Sequence, residues 1–174
     1  SYILVGRARL YQLDWGNAIQ TFKFVNTKTK DPEARHEAII WLIRTFTEHK
    51  EYNNARAAID FLLKQKLSDT HYKMLLLEIA YLAQTENNLD EMVRSLAIAA
   101  PMLKKKSDRP GRIYFILGQV YQKLGFESEA YNYYRKCLGT HPEYEVDFYA
   151  RLYQAQVAEI SKSKSIASAR KSYN

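Results

Sequence analysis

The residues best suited to chemistry in this sequence are its histidines and the carboxylates near them. Glu33 and His36 form a Glu-x-x-His pair, the spacing with which helical bundles hold a di-iron centre. Such a centre needs two of these motifs and two further carboxylates, whereas the sequence has one motif, at a predicted helix start where glutamate is favoured anyway. His49, His71 and His141 fall at predicted helix ends or turns, where capping or contact with solvent is the ordinary role. The histidines therefore predict no metal site.

The motifs of the common enzyme classes are missing from the sequence. It contains neither a G-x-x-x-x-G-K-[ST] phosphate loop nor a G-x-S-x-G nucleophile elbow, and Gly6 and Gly16 are too isolated to form a dinucleotide fingerprint. The single cysteine, Cys137, excludes an internal disulfide framework and a cysteine-based zinc site. Its place in a predicted helix indicates a small core residue. We therefore predict a protein that is not an enzyme and that binds no cofactor.

The charge balance leaves two kinds of partner open. Lys and Arg number 26 and Asp and Glu 19, which gives a net charge of +7 and an isoelectric point near 9.3. Basic residues cluster at Lys104–Lys106, Arg109 and Arg112, where an acidic protein or a nucleic acid would be attracted. Nucleic-acid binding also favours exposed aromatic rings along the basic face, whereas the tyrosines recur at positions expected in a helical core. A nucleic-acid-binding helical repeat is kept as the alternative function.

The elements that must position these residues are predicted to be helices. Gly and Pro number only 6 and 4, about half their usual share, which disfavours the many tight turns of a sheet protein. The segment from Tyr114 to Pro142 reads Tyr114-x2-Leu117-Gly118-x2-Tyr121, followed by Gly125, Ala130, Tyr134 and Pro142. This pattern resembles the tetratricopeptide (TPR) repeat at nearly every marked position. The resemblance implies antiparallel helix pairs in which Gly118 faces Ala130 and the tyrosines fill the space between the helices.

Weaker copies of this unit recur along the chain. The landmarks Ala18, Ala55, Met92 and Ala130 lie 37, 37 and 38 residues apart, a slightly longer period than the standard TPR. Ten helices are predicted, at about 1–12, 15–28, 32–48, 52–65, 69–85, 89–104, 110–123, 127–139, 143–160 and 164–173, with Pro101 kinking or ending the sixth. The prediction is an all-α, right-handed α-solenoid of four TPR-like pairs and a fifth, partial pair. Residues 1–174 would form a single domain of a larger protein, because the chain begins with Ser1 in what reads as the middle of a helix.

A solenoid of this kind leaves the first helix of each pair along a concave surface. By analogy with TPR proteins, we predict a partner-binding groove of mixed aromatic, amide and charged character. Its predicted residues are Arg7, Tyr11, Arg44, Glu48, Tyr81, Gln84, Arg112, Phe115, Gln119, Gln122, Tyr149 and Tyr153. Tyrosine supplies contact area, and Arg and Gln supply hydrogen bonds to a peptide main chain or carboxylate. We therefore predict a protein or peptide segment as the partner, either a separate protein or another part of the same polypeptide.

Two segments also resemble a narrower family. They begin at Ser1-Tyr2-Ile3-Leu4-Val5-Gly6-Arg7-Ala8-Arg9-Leu10 and at Gly111-Arg112-Ile113-Tyr114-Phe115-Ile116, and run to Phe22 and Ala150 respectively. They are similar to the N-terminal TPR region of the gliding-motility and type IX secretion lipoproteins of Bacteroidetes, SprE and PorW. The resemblance implies a periplasmic scaffold tethered to the outer membrane that contacts secretion-machine components, with the lipidated cysteine outside this fragment. A cytoplasmic location is the alternative.

Overall fold

The computed structural model describes residues 1–172 and contains no β-strand within them. The described residues form nine α-helices, which are α1 (Tyr2–Tyr11), α2 (Trp15–Lys28), α3 (Pro32–Glu48), α4 (Tyr52–Leu63), α5 (Asp69–Thr85), α6 (Leu89–Ala99), α7 (Pro110–Lys123), α8 (Glu127–Gly139) and α9 (Tyr144–Ser172). The two helices of each pair are joined by a short turn, while α6 and α7 are joined by a longer connector over residues 100–109. The predicted all-α fold of TPR-like helix pairs is confirmed.

Short polar side chains begin several of these helices, as their sequences predict. The Asp31 carboxylate accepts a hydrogen bond from the Glu33 backbone N–H, and Pro32 occupies the first turn of α3, where its missing N–H costs nothing. The Ser68 hydroxyl likewise accepts a hydrogen bond from the His71 N–H at the start of α5. These caps place Glu33 and His71 in the first turns of two helices whose starts lie about one repeat apart in sequence.

The turn inside each helix pair is built the same way four times. Leu13, Lys50, Asn87 and Gly125 have φ values of 60°, 62°, 56° and 80°, in the left-handed region. In each turn the following residue donates its N–H to a carbonyl five positions earlier, as Asp14 does to Arg9 and Phe126 to Tyr121. This is the Schellman arrangement that satisfies the last carbonyls of a helix. The four turns have the same spacing as the predicted landmarks, so the repeat period is confirmed.

The chain folds into two compact units. Unit 1 comprises Ser1–Ser95, and in it α3 packs against α2, α4 and α5. Its core is made of aliphatic and phenylalanine side chains from all five of its complete helices. The largest fully buried members are Phe22, Ile40, Ile43, Leu62, Leu75 and Leu82. The prediction of one domain over 1–174 stays a prediction.

Unit 2 begins at Leu96, and in it α8 packs between α7 and α9. Its core contains Tyr134, Cys137 and Val157, all without solvent exposure, so the prediction that Cys137 is a small core residue is confirmed. Burial, followed by the charge of Asp147, raises the pKa of the Cys137 thiol to about 11. The thiol is therefore protonated and unreactive at neutral pH.

The small residue at Gly118 makes room for an aromatic ring. A Cβ at Gly118 would lie 2.5 Å from Tyr134 Cε1, and a Cβ at Gly6 would lie 2.6 Å from Phe22 Cε1. The closest neighbour of Gly118 is thus Tyr134, so the prediction that this tyrosine fills the space between the helices is confirmed, and the predicted approach of Gly118 to Ala130 stays a prediction. The tyrosine, one turn beyond the alanine, reaches back across the helix pair, because long side chains in helices point toward the N-terminus.

Two predicted helix boundaries also differ in the structure. Helix α6 ends at Ala99, and a 3₁₀ turn over Ala100–Met102 follows, so the prediction that Pro101 ends this helix is confirmed although its predicted end at 104 is wrong. The predicted break between 160 and 164 is also wrong, since α9 runs unbroken from Tyr144 to Ser172. Serines and lysines in that stretch are compatible with helix, and no proline or glycine interrupts it. Residues 173 and 174 lie outside the described residues.

Candidate protein-interaction surface

A concave pocket in unit 1 contains three of the predicted groove residues. Its volume is about 360 Å³, and it is enclosed by α1, the turn that follows α1, the start of α2 and the face of α3. We call it the tryptophan pocket, and its lining residues are Leu10, Tyr11, Leu13, Trp15, Trp41, Arg44 and Glu48. Tyr11 stands at the rim with 70% of its surface exposed. The pocket combines aromatic walls with one cation and one carboxylate.

Aromatic stacking holds the walls of the tryptophan pocket in place. The Trp15 indole stacks on the His49 ring with centroids 5.2 Å apart, and Trp41 lies parallel to Phe22 in the core. The guanidinium carbon of Arg7 lies 4.6 Å from the centre of the Trp41 ring, a cation–π contact. The indole N–H groups of Trp15 and Trp41 have no hydrogen-bond partner within the protein. Both N–H groups are inaccessible to solvent, so the two indoles offer the pocket their apolar ring surface.

Arg44 is engaged by its own protein. Its guanidinium donates two hydrogen bonds to the Glu78 carboxylate, at 2.7 and 3.0 Å, and stacks on the Tyr81 ring at 4.1 Å. The Tyr81 hydroxyl donates to Glu48 Oε1 at 2.8 Å. These contacts join α3 to α5. Arg44, predicted to bind a partner in the groove, therefore connects neighbouring repeats within the protein. Its guanidinium N–H groups are already hydrogen-bonded to a carboxylate.

Burial governs the ionisation of this network. The Glu78 side chain is only 12% exposed, and burial raises its pKa more than the Arg44 hydrogen bond and charge lower it. Burial lowers the pKa of Arg44, but the Glu78 hydrogen bond and charge outweigh that effect and raise it. For Tyr81, burial and then the hydrogen bond to Glu48 raise the pKa. Glu78 thus depends on Arg44 to remain charged in the folded protein.

The predicted groove residues of unit 2 lie mainly in an aromatic cluster. The rings of Phe115 and Tyr153 stack with centroids 6.0 Å apart, and Tyr149 lies 5.8 Å from Tyr153. Gln122 accepts a hydrogen bond from the Tyr134 hydroxyl at 2.6 Å. These residues stabilise unit 2 from within, except for the exposed side of Tyr149.

The remaining groove residues occupy separate positions. Arg112 lines a cavity of about 210 Å³ between the starts of α7 and α9, together with Lys106, Arg109 and His141. Gln84 is exposed near the end of α5, and Gln119 is half-buried on α7. Of the predicted groove residues, Tyr11, Arg44 and Glu48 thus line the tryptophan pocket. Arg7 contacts its wall at Trp41 and Tyr81 contacts Arg44, while Gln84, Gln119 and Arg112 lie away from it.

Sequence reasoning missed three residues of this surface. Trp15 and Trp41 were not among the predicted groove positions, although they are the chain's only two tryptophans, and an aromatic residue beside a predicted groove position is the signal that would have found them. Glu78 was missed because its pairing with Arg44 depends on how helices one repeat apart align. His71 was predicted to contact solvent, which is wrong, since it is 7% exposed. The close packing of α3 against α5 covers it.

The architecture defines a class of protein, the TPR-like helical repeat. No protein-family model matches the sequence, and no curated protein sequence matches it. Two solved structures of MamA, a TPR-like helical-repeat protein, share the fold. One has a TM-score of 0.59 and 18% sequence identity over 92% of this chain and 86% of MamA; the other has 0.58 and 18% over 92% and 96%. At this identity the likeness establishes the fold.

No helix within residues 1–172 is both long enough and apolar enough to cross a membrane.

Proposed function

We propose that this chain is a non-catalytic protein–protein interaction scaffold and that the tryptophan pocket of unit 1 binds a peptide segment of its partner. The observation that carries the proposal is a pocket of about 360 Å³ that is lined by both tryptophans and has a largely exposed tyrosine, Tyr11, at its rim. Tryptophan and tyrosine side chains are typical of the residues that dominate protein interfaces. The TPR-like fold, shared with MamA, favours the same interpretation.

The occupant we infer is an extended peptide segment that presents an aliphatic or aromatic side chain. That apolar side chain would pack against the indole rings of Trp15 and Trp41. Arg44 would contribute only its exposed edge, because two of its guanidinium N–H groups are hydrogen-bonded to Glu78. The Glu48 carboxylate disfavours an acidic side chain at that end of the pocket.

The family role is a finer part of the proposal. The similarity of the segments beginning at Ser1 and Gly111 to SprE and PorW supports a place in a gliding-motility and type IX secretion apparatus, in the periplasm as part of a lipoprotein. Nucleic-acid binding stays the alternative: unit 2 has exposed aromatic rings, Tyr144 among them, although other tyrosines stack on one another, as Tyr121 does on Tyr133 at 5.4 Å.

Tryptophan fluorescence tests the pocket directly, since both tryptophans of the chain line it. Peptides enriched on the purified chain from a random library would be titrated while the indole emission is recorded. We expect a saturable spectral shift, and a Tyr11→Ala variant should weaken binding about tenfold, or 1.4 kcal/mol. Tyr144→Ala, which removes another tyrosine that is 86% exposed, is the matched control and should change nothing. Peptides that bind without changing the emission, or equally well to both variants, would place the binding surface elsewhere.

A further inference from the structure

The first turns of α3 and α5 bring together three side chains whose atoms are typical ligands of a transition metal. Glu33, His36 and His71 each offer one ligand atom, and these atoms all lie within 4.8 Å of one another. Glu33 and His36 share one face of α3 because they are three residues apart, and His71 comes from the first turn of α5. The cluster lies entirely within unit 1.

The two imidazoles lack the partners that buried nitrogens normally have. The Nδ1 atoms of His36 and His71 are both inaccessible to solvent and make no hydrogen bond within the protein. The His71 side chain is 91% buried, with Nδ1 3.1 Å from Glu33 Oε2 but outside the geometry of a hydrogen bond. The rings meet edge to face with centroids 6.2 Å apart. Two buried nitrogens that make no hydrogen bond, one of them at ion-pair distance from a carboxylate, would both be satisfied by a shared cation.

We propose that Glu33, His36 and His71 bind a divalent transition-metal ion of the Zn²⁺ type and that this ion links the two neighbouring repeats. Two imidazoles and one carboxylate are a common zinc ligand set that leaves a fourth position for water or for a group from a partner. Ligand atoms of a tetrahedral zinc site lie about 3.4 Å apart, as its bond lengths of about 2.0–2.1 Å require. The exposed Glu33 side chain can close most of the remaining distance by rotating.

The position of the site also fits a structural role. The starts of α3 and α5 belong to successive repeats, where Arg44 and Glu78 already join the same two helices farther along. A metal ion at their starts would hold the two helices at a second point. This role is independent of peptide binding, so the metal site and the proposed function fail separately.

The experiment uses the untagged full chain, freed of metal with a chelator and titrated with Zn²⁺ by calorimetry. We expect one ion per chain at micromolar affinity and a zinc-dependent rise in the thermal unfolding midpoint. Glu33→Gln and His71→Gln should each weaken binding at least tenfold and remove the thermal effect. His141→Gln removes an exposed histidine of unit 2 and should leave both unchanged.

A second measurement covers the case in which His71→Gln does not fold. Glu33 is exposed, so its Gln variant retains the fold and decides the matter by itself. Co²⁺ should produce visible absorption bands in the unaltered chain that are much weaker in His36→Gln. No zinc binding, or stoichiometric binding that Glu33→Gln leaves intact, would overturn the proposal. Tyr11→Ala should not alter zinc affinity, which separates this site from the tryptophan pocket.

Discussion

At two positions, Gly118 and Gly6, the space available for a side chain explains why the residue is glycine. Gly118 and Gly6 carry no side chain because the rings of Tyr134 and Phe22 occupy that space, and both rings are fully buried. Tyr134 is fixed further by its hydrogen bond to Gln122, and burial strongly raises the pKa of its hydroxyl. The ring therefore cannot move aside without breaking that bond or opening the core.

Gly118→Ala should accordingly destabilise unit 2 by about 1–3 kcal/mol, because overpacking a fixed ring strains the helix pair. Chemical denaturation monitored by circular dichroism measures the change. Gly139→Ala is the matched control, since nothing lies within 4 Å of a Cβ at that position. The control should be neutral or slightly stabilising. Equal stability of the two variants would show that the Tyr134 ring has room to shift.

Neighbouring helices are joined by side chains about one repeat apart in sequence. Arg44 and Glu78 join α3 to α5, and Arg56 of α4 is paired with Glu86 and Glu91 near the start of α6. The hydrogen bonds that Arg56 donates to both glutamates, to Glu91 first, raise the pKa of Arg56 despite partial burial. Such pairs align successive repeats more than they stabilise them, because burial of the charges offsets much of their attraction.

Arg44→Met should destabilise the chain by about 2–3 kcal/mol at pH 7, below the value for a fully buried pair because Arg44 is one-third exposed. The loss should shrink toward pH 4. The folded-state pKa of Glu78 is raised, so its stability contribution falls as pH rises through that pKa, and losing Arg44 raises the pKa further. Urea midpoints at several pH values measure this.

The double variant Arg44→Met with Glu78→Leu is the control for the ionic origin of the effect. Replacing both partners with apolar side chains leaves no unpaired carboxylate, so most of the stability should return and the pH dependence should vanish. A deficit in Arg44→Met that is the same at pH 4 and pH 7 would contradict the role assigned to Glu78.

At the scale of the whole molecule, the net charge of +7 bears on the choice of partner. The connector at Lys104–Lys106 is exposed, and its Lys105 N–H is held by the Asp108 carboxylate through a backbone bond that does not need the lysine side chains. The charge therefore contributes to association and solubility and little to the fold.

Changing all three connector lysines to serine should shift stability by less than about 0.5 kcal/mol. Binding to duplex DNA at physiological salt should be weak both before and after the change, as measured by fluorescence anisotropy. Replacing Lys30, Lys64 and Lys66 instead gives a control with the same change in charge at other exposed positions. Tight binding that disappears only in the connector variant would favour the nucleic-acid alternative.

The sequence alone determined the all-helical fold, the repeat period and the positions of the turns. These depend on local interactions: the spacing of apolar residues, the caps at Asp31 and Ser68, and the left-handed turn residues Lys50 and Gly125 that follow helix ends. The continuity of α9 follows the same local rules, because no proline or glycine interrupts it, and the predicted break near residue 162 had no such residue behind it.

Only the tertiary structure decided which side chains remain available for a partner or a metal ion. From the sequence, Arg44 is predicted to be a free cation in the groove, whereas in the structure it is paired with Glu78 of α5. His71 is predicted to contact solvent at a helix start, whereas in the structure α3 covers it and places Glu33 beside it. Both pairings join residues about one repeat apart, and a shift of one helix by a single turn, about 5.4 Å, would abolish them. That alignment results from the packing of the whole unit 1 core, and no spacing within one helix specifies it.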